Sequence, residues 1–159
     1  MRGLAHEIAH FWWSFGAGQG DWINESFAEF FSLLAVEENS KQLYHEYMSK
    51  ILEEVTSLPQ DAPPLSRVPF SNDRICYTVR YYKGALMLAH FKELLGDERF
   101  FEICREFYDT YHAKTVHTGE FRRFWTQRLK ADEEEFNSWL DSEGASPVTR
   151  LNQGAFEGP

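Results

Sequence analysis

His6 and His10 stand four residues apart in the segment HEIAH, with Glu7 directly after the first. On a helix that spacing puts both imidazoles on one face, a turn apart, where they can reach one metal ion at about 2.0–2.1 Å. Zinc fits this pattern, and the glutamate beside the pair is placed to take a proton from an attacking water. A catalytic zinc needs three protein ligands and an open position. The third must come from elsewhere, and Glu25 and Glu29 follow in DWINESFAEFF. Those two are also four apart and share a helix face. One can bind the ion while the other accepts the outer N–H of a ligand histidine and fixes its tautomer. Spacing alone leaves open which does which. The same HEIAH on a solvated helix would be an ordinary surface match. Here Ile8, Ala9, Phe11, Trp12 and Trp13 make the helix apolar, so buried histidines and carboxylates need partners.

The elements that must position these residues read as helices throughout. Residues 4–15 form an apolar, aromatic helix, and GAGQG at 16–20 is a flexible connector rather than a phosphate loop, since no strand precedes it. A second helix starts at about Asp21, with Ile23, Phe27, Phe30, Phe31 and Leu34 at helical spacing. KQLYHEYMSKILEEV is a third, and the proline-rich stretch 59–73 is a loop. A fourth runs through TVRYYKGALMLAHFKELLG and closes at Gly96. Asp97 caps a fifth, Thr118 a sixth, and DEEEFNSWLDSEG is a short seventh. The expected fold is an all-α bundle over residues 1–148, with an extended or disordered tail at 149–159. No strand and no internal repeat is expected.

At 159 residues the chain is one domain's length, and its 16% aromatic content points to a core or groove rich in rings. A net charge of −9 argues against a nucleic-acid partner. No apolar run is long enough for a membrane span, and no signal peptide is visible. Cys76 and Cys104 fit no metal or disulfide pattern and read as reduced, packed thiols, which points to a reducing, cytoplasmic compartment. His45, His90, His112 and His117 lack ligand-like spacing and read as structural or exposed.

Four segments in order, HEIAHFWW, WINESFAEFF, YYKGALMLAHFKELLGDERF and FNSWLDSEGASPV, together resemble the gluzincin zinc peptidases of the membrane alanyl aminopeptidase and leukotriene hydrolase family. The resemblance covers roughly residues 4–148. It implies the helical lobe of a thermolysin-like catalytic domain, one zinc ion and no other cofactor, a peptide substrate and aminopeptidase activity. It also implies that the third ligand is a glutamate on the following helix. The family's usual spacing, with eighteen residues between the second histidine and the ligand, would select Glu29, whereas its Asn-Glu-Gly-Phe-Ala context matches NESFA and selects Glu25. The local context is followed, because a connector can lose residues more easily than a ligand can change its packing. Glu25 is then the ligand and Glu29 the outer partner of a histidine. RYYKGALML resembles the family's Tyr-x-Lys-Gly signature, which places the oxyanion donor at Tyr81, with Glu7 as general base. Gly84 is expected to permit close helix packing. The family's β-lobe, with its amine-binding Gly-x-Met-Glu-Asn segment, has no counterpart in this sequence. A separate β-lobe partner or self-association is therefore expected, and the isolated chain is expected to be weak or inactive. The alternative is a non-catalytic helical module that keeps a structural zinc.

Overall fold

A computed structural model describes residues 2–16 and 20–148. Residues 17–19 of the connector and the expected tail at 149–159 lie outside the described residues. The order is α1 (Arg2–Ala9), α2 (Asp21–Asn39), α3 (Lys41–Thr56), α4 (Arg74–Tyr77), a π-helical turn (Thr78–Lys83), α5 (Gly84–Leu95), α6 (Asp97–Tyr111), α7 (Thr118–Leu129) and α8 (Glu133–Asp141). Short 3-10 turns stand at Leu65–Arg67 and Lys130–Asp132. Among the described residues there is no strand, only an isolated bridge between Gly16 and Val116. The all-α expectation holds. No described helix is long and apolar enough to cross a membrane.

α2 is the central element, and it is buried on more than one face. Trp22, Ile23, Phe27, Phe30 and Leu33 are in the core, and so are the polar Asn24, Ser26, Glu29 and Ser32. A helix covered nearly all round can carry polar groups inward only if each finds a partner. Ser26 donates to the Arg80 carbonyl at 2.7 Å and Ser32 to the Glu29 carbonyl at 2.7 Å. The core around α2 is a network of rings. Phe27 stacks on Trp13 at 4.5 Å between centroids and lies 5.9 Å from Phe107 and 6.1 Å from Phe121. Such offset and edge contacts add to the burial of the rings themselves.

The structure departs from the sequence expectation in three respects. The first helix ends at Ala9, not Phe15. Phe11 N–H bonds back to the Ile8 carbonyl and Trp12 N–H to that of Ala9, a tight turn that swings Trp13 into the core between Phe27 and Phe31. Packing of two large rings, Trp13 and Phe15, overrides continued helix here. α6 and α7 are capped one residue earlier than expected, by Gly96 and by His117. His117 closes a capping box with Glu120. The third difference matters most for function. The fourth helix is not α throughout but passes through a π-helical turn over Thr78–Lys83.

Gly84 follows that turn and sits against α2. A Cβ at Gly84 would fall 2.5 Å from Ser26 Cβ, so only glycine lets α5 approach this closely. The adjacent Lys83 is fully buried and donates to the carbonyls of Ser142 at 2.6 Å and Gly144 at 2.8 Å, which ties the segment after α8 to the π turn. Burial holds its ammonium pKa down at about 8. Cys76 and Cys104 are free and buried.

Candidate metal centre

α1 is short, and what fixes it is α2. Asn24 holds the chain between them: its carbonyl accepts from the Phe15 and Gly16 N–H groups at 2.6 Å each, and its amide donates to the Gly16 carbonyl at 2.8 Å. Three bonds from one buried side chain fix the return of the chain, and with it the register of α1 against α2. Asp21, in the first turn of α2, is ion-paired with buried Arg80 of the π turn. The three elements that carry the candidate residues are thus pinned to each other.

His6 and His10 remain together although His10 lies just past the helix end. Their Nε2 atoms are 3.2 Å apart. Glu25 Oε2 lies 3.2 Å from His6 Nε2 and 3.4 Å from His10 Nε2. His10 Nδ1 is directed at the Trp13 carbonyl, 3.2 Å away. Glu29 stands on the other side of the His6 ring, with Oε2 3.1 Å from Nδ1. Tyr81 lies flat against His6, centroids 5.5 Å apart and 10° from parallel, and Tyr77 stacks on Tyr81 at 4.1 Å. Glu7 is exposed, and its carboxylate makes no hydrogen bond or ion pair with the described residues. The structure therefore brings together His6, His10, Glu25, Glu29 and Tyr81 and leaves Glu7 at the rim.

Electrostatics follow from this packing. Burial alone would push the His6 pKa down, but hydrogen bonds to Glu25 and Glu29 and their charges outweigh it and lift it to about 9. His10 is raised by its hydrogen bond to Glu25. Burial would raise Glu25, yet His10 and His6 hold it at about 2. Burial, then the Glu25 charge, push the Tyr81 phenol well above its ordinary range. It stays protonated at every physiological pH and is available as a neutral donor.

The donor set fits zinc. Two imidazole nitrogens and one carboxylate oxygen form a triangle with edges of 3.2, 3.2 and 3.4 Å. Ligands about 2.0–2.1 Å from a tetrahedral ion are separated by about 3.4 Å, so the triangle is close to a ready-made face of that tetrahedron. Among the described residues this is the one group of three or more His, Cys, Asp or Glu side chains gathered tightly enough for an ion.

Sequence reasoning missed four contributors. The π turn has no helical-period signature that sets it apart, yet such turns recur at functional sites. Its wider winding lets Tyr77 contact both Tyr81 and Tyr82. Tyr77 and the connector-binding role of Asn24 carry no spacing signal of their own. Arg2 did carry one, since it stands four residues before His6.

The first two helices thus bring an HExxH motif and a downstream glutamate to one point, the donor set of a candidate metal centre. The sequence model of the peptidase family M1 domain matches residues 2–141, and the chain belongs to that family. Human aminopeptidase O is 23% identical over 194 residues, covering 97% of this chain and 24% of that protein. Rat glutamyl aminopeptidase is 25% identical, covering 92% of this chain and 17% of its own length. The chain therefore spans about a quarter or less of these relatives. Among solved structures, the M1 zinc metallopeptidase of Deinococcus radiodurans superposes with a TM-score of 0.75 at 22% identity, over 88% of this chain and 32% of that one. Leukotriene A4 hydrolase of Saccharomyces cerevisiae gives 0.71 at 19% identity, over 95% and 28%. At these identities the two structures speak for the fold.

Proposed function

We propose that this chain is the metal-binding helical lobe of a zinc aminopeptidase, with one zinc ion held by His6, His10 and Glu25. The observation that carries the reading is the near-equilateral triangle of their ligand atoms. Glu25 rather than Glu29 is assigned as ligand because its Oε2 faces both Nε2 atoms, whereas Glu29 reaches only the opposite nitrogen of His6. The peptidase character rests on the family, and the aminopeptidase character on relatives that carry that name.

Zinc, when bound, would be held by His6, His10 and Glu25 and would supply Lewis acidity there. The chain's own residues do the rest. Glu7, unpartnered and solvent-facing beside His6, accepts the proton of the attacking water and hands it to the departing amine. Tyr81 donates its phenolic O–H to the oxygen on which negative charge develops. Its raised pKa keeps that proton in place. Glu29 accepts from His6 Nδ1–H, which turns the Nε2 lone pair toward the ion. Trp13 and Phe15 wall the back of α1 with rings and exclude water there.

The test separates binding from chemistry. In protein that hydrolyses aminoacyl-anilides, Glu7→Gln should keep one equivalent of zinc and lose nearly all turnover. Loss of the metal together with the activity would make Glu7 a ligand, and unchanged turnover would remove it from the mechanism.

A further inference from the structure

We infer that Arg2 is a positioning residue for the metal centre, acting through Glu29 on His6; this rests on the zinc reading above. Arg2 lies one turn before His6 on α1, and its Nη1 is 2.9 Å from Glu29 Oε1. The other oxygen of the same carboxylate meets His6 Nδ1 at 3.1 Å. Glu29 is only 3% exposed, and its Oε1 has no hydrogen bond to fall back on. A buried carboxylate left with one oxygen unpaired is costly, and it escapes that cost by rotating toward water. That rotation weakens its hold on Nδ1. That hold decides which ring nitrogen of His6 carries the proton, and so whether Nε2 presents a lone pair to the site shared with His10 and Glu25.

The guanidinium is itself held in place. It lies 4.9 Å over the Tyr47 ring of α3 and 6.0 Å from the Tyr82 ring of the π turn. Arg2 thus joins α1 to α2, α3 and the π turn at one point. α1 has only eight residues, a length that is marginal for a helix by itself. An anchor one turn ahead of the first histidine therefore orients the His6 ring as well as its partner. A lysine would keep the charge but lose the planar fork and the stacking, so Arg2→Lys separates position from charge.

The experiment is a thermodynamic cycle in zinc affinity on the full chain, by competition with a chromophoric chelator. Arg2→Met and Arg2→Lys should each weaken zinc by about tenfold, at the low end for outer partners of a ligand histidine. In the Glu29→Gln background the same changes should have less than about a twofold effect, because the pathway is already cut. Equal losses in both backgrounds, or none in the parent, would overturn the inference. A second readout needs no metal. Nitrogen-15 shifts of His6 in metal-free protein at alkaline pH should show the Nδ1–H tautomer, mixed with the other tautomer in Arg2→Met. An unchanged tautomer in Arg2→Met would also overturn it. If the parent chain binds no zinc, the function reading falls, and the tautomer measurement still decides the role of Arg2.

Discussion

Replacing Gly84 by alanine probes the contact that sets Tyr81 against His6. The added Cβ would overlap Ser26 Oγ and lie 2.5 Å from Ser26 Cβ, against an ordinary carbon separation of about 3.5–4.0 Å. The hydroxyl would have to turn away from the Arg80 carbonyl and the helices to separate by about 1 Å, which neither gives cheaply, because both residues are buried. Overpacking of this kind costs roughly 1–3 kcal/mol, and the upper end applies to a clash next to two backbones. Alanine returns about 1 kcal/mol through its better helix propensity. The net loss is about 2 kcal/mol, or about 4–8 °C in Tm for a chain of this size. Ser26→Gly alone should also cost about 2 kcal/mol, from the lost bond to the Arg80 carbonyl and from glycine in a helix. Combined, the two changes exchange a small residue across the contact and remove the clash. The double variant should therefore be at least as stable as Gly84→Ala, measured by urea unfolding. Additive losses, or a neutral Gly84→Ala, would refute the claim that Gly84 governs the approach of α5 to α2.

Metal-free protein should depend on pH through the site. His6 sits at about 9 in the fold against an ordinary 6.5, so its stabilisation is complete below about 6.5 and is lost as pH rises through 9. Glu25 sits at about 2 against 4.5, so its contribution is present above about 4.5 and is lost as pH falls through 2. Urea unfolding in chelator should show stability falling from about pH 6.5 to 9, and His6→Gln should flatten that slope. Tyr81→Phe should lower turnover with little change in KM, since the phenol acts on developing charge; a pure KM effect would make it a pocket wall. Leu4, Phe11 and Trp12 are 69%, 83% and 54% exposed, and large apolar side chains left in water favour association. Light scattering should show self-association of this chain that Phe11→Glu with Trp12→Glu abolishes.

The helices were legible because they depend on local signals. Periodicity gave α2, α3, α6, α7 and α8, and the expected N-caps of α6 and α7 fell one residue from the observed ones. The segments that failed obey longer-range forces. α1 stops early because Trp13 and Phe15 are worth more in the core than in a continued helix. The π turn adds one residue to the winding, which no apolar spacing reports, yet it brings Tyr77 onto Tyr81 and Tyr82. In the site, the histidine pair and the two glutamates followed from four-residue spacing. Arg2 was also at that spacing, but its partner lies on another helix, 27 positions away, and only packing shows it. Asn24 was visible as part of NESFA, while its three bonds to the connector were not.

The central claim is that Glu25 binds the metal and Glu29 supports His6 from outside. Zinc titration of Glu25→Gln and Glu29→Gln under identical conditions tests it most directly. The account predicts that Glu25→Gln loses most zinc binding, while Glu29→Gln keeps one site per chain with affinity reduced by about 10–100-fold. Abolished binding in Glu29→Gln with an intact site in Glu25→Gln would contradict it.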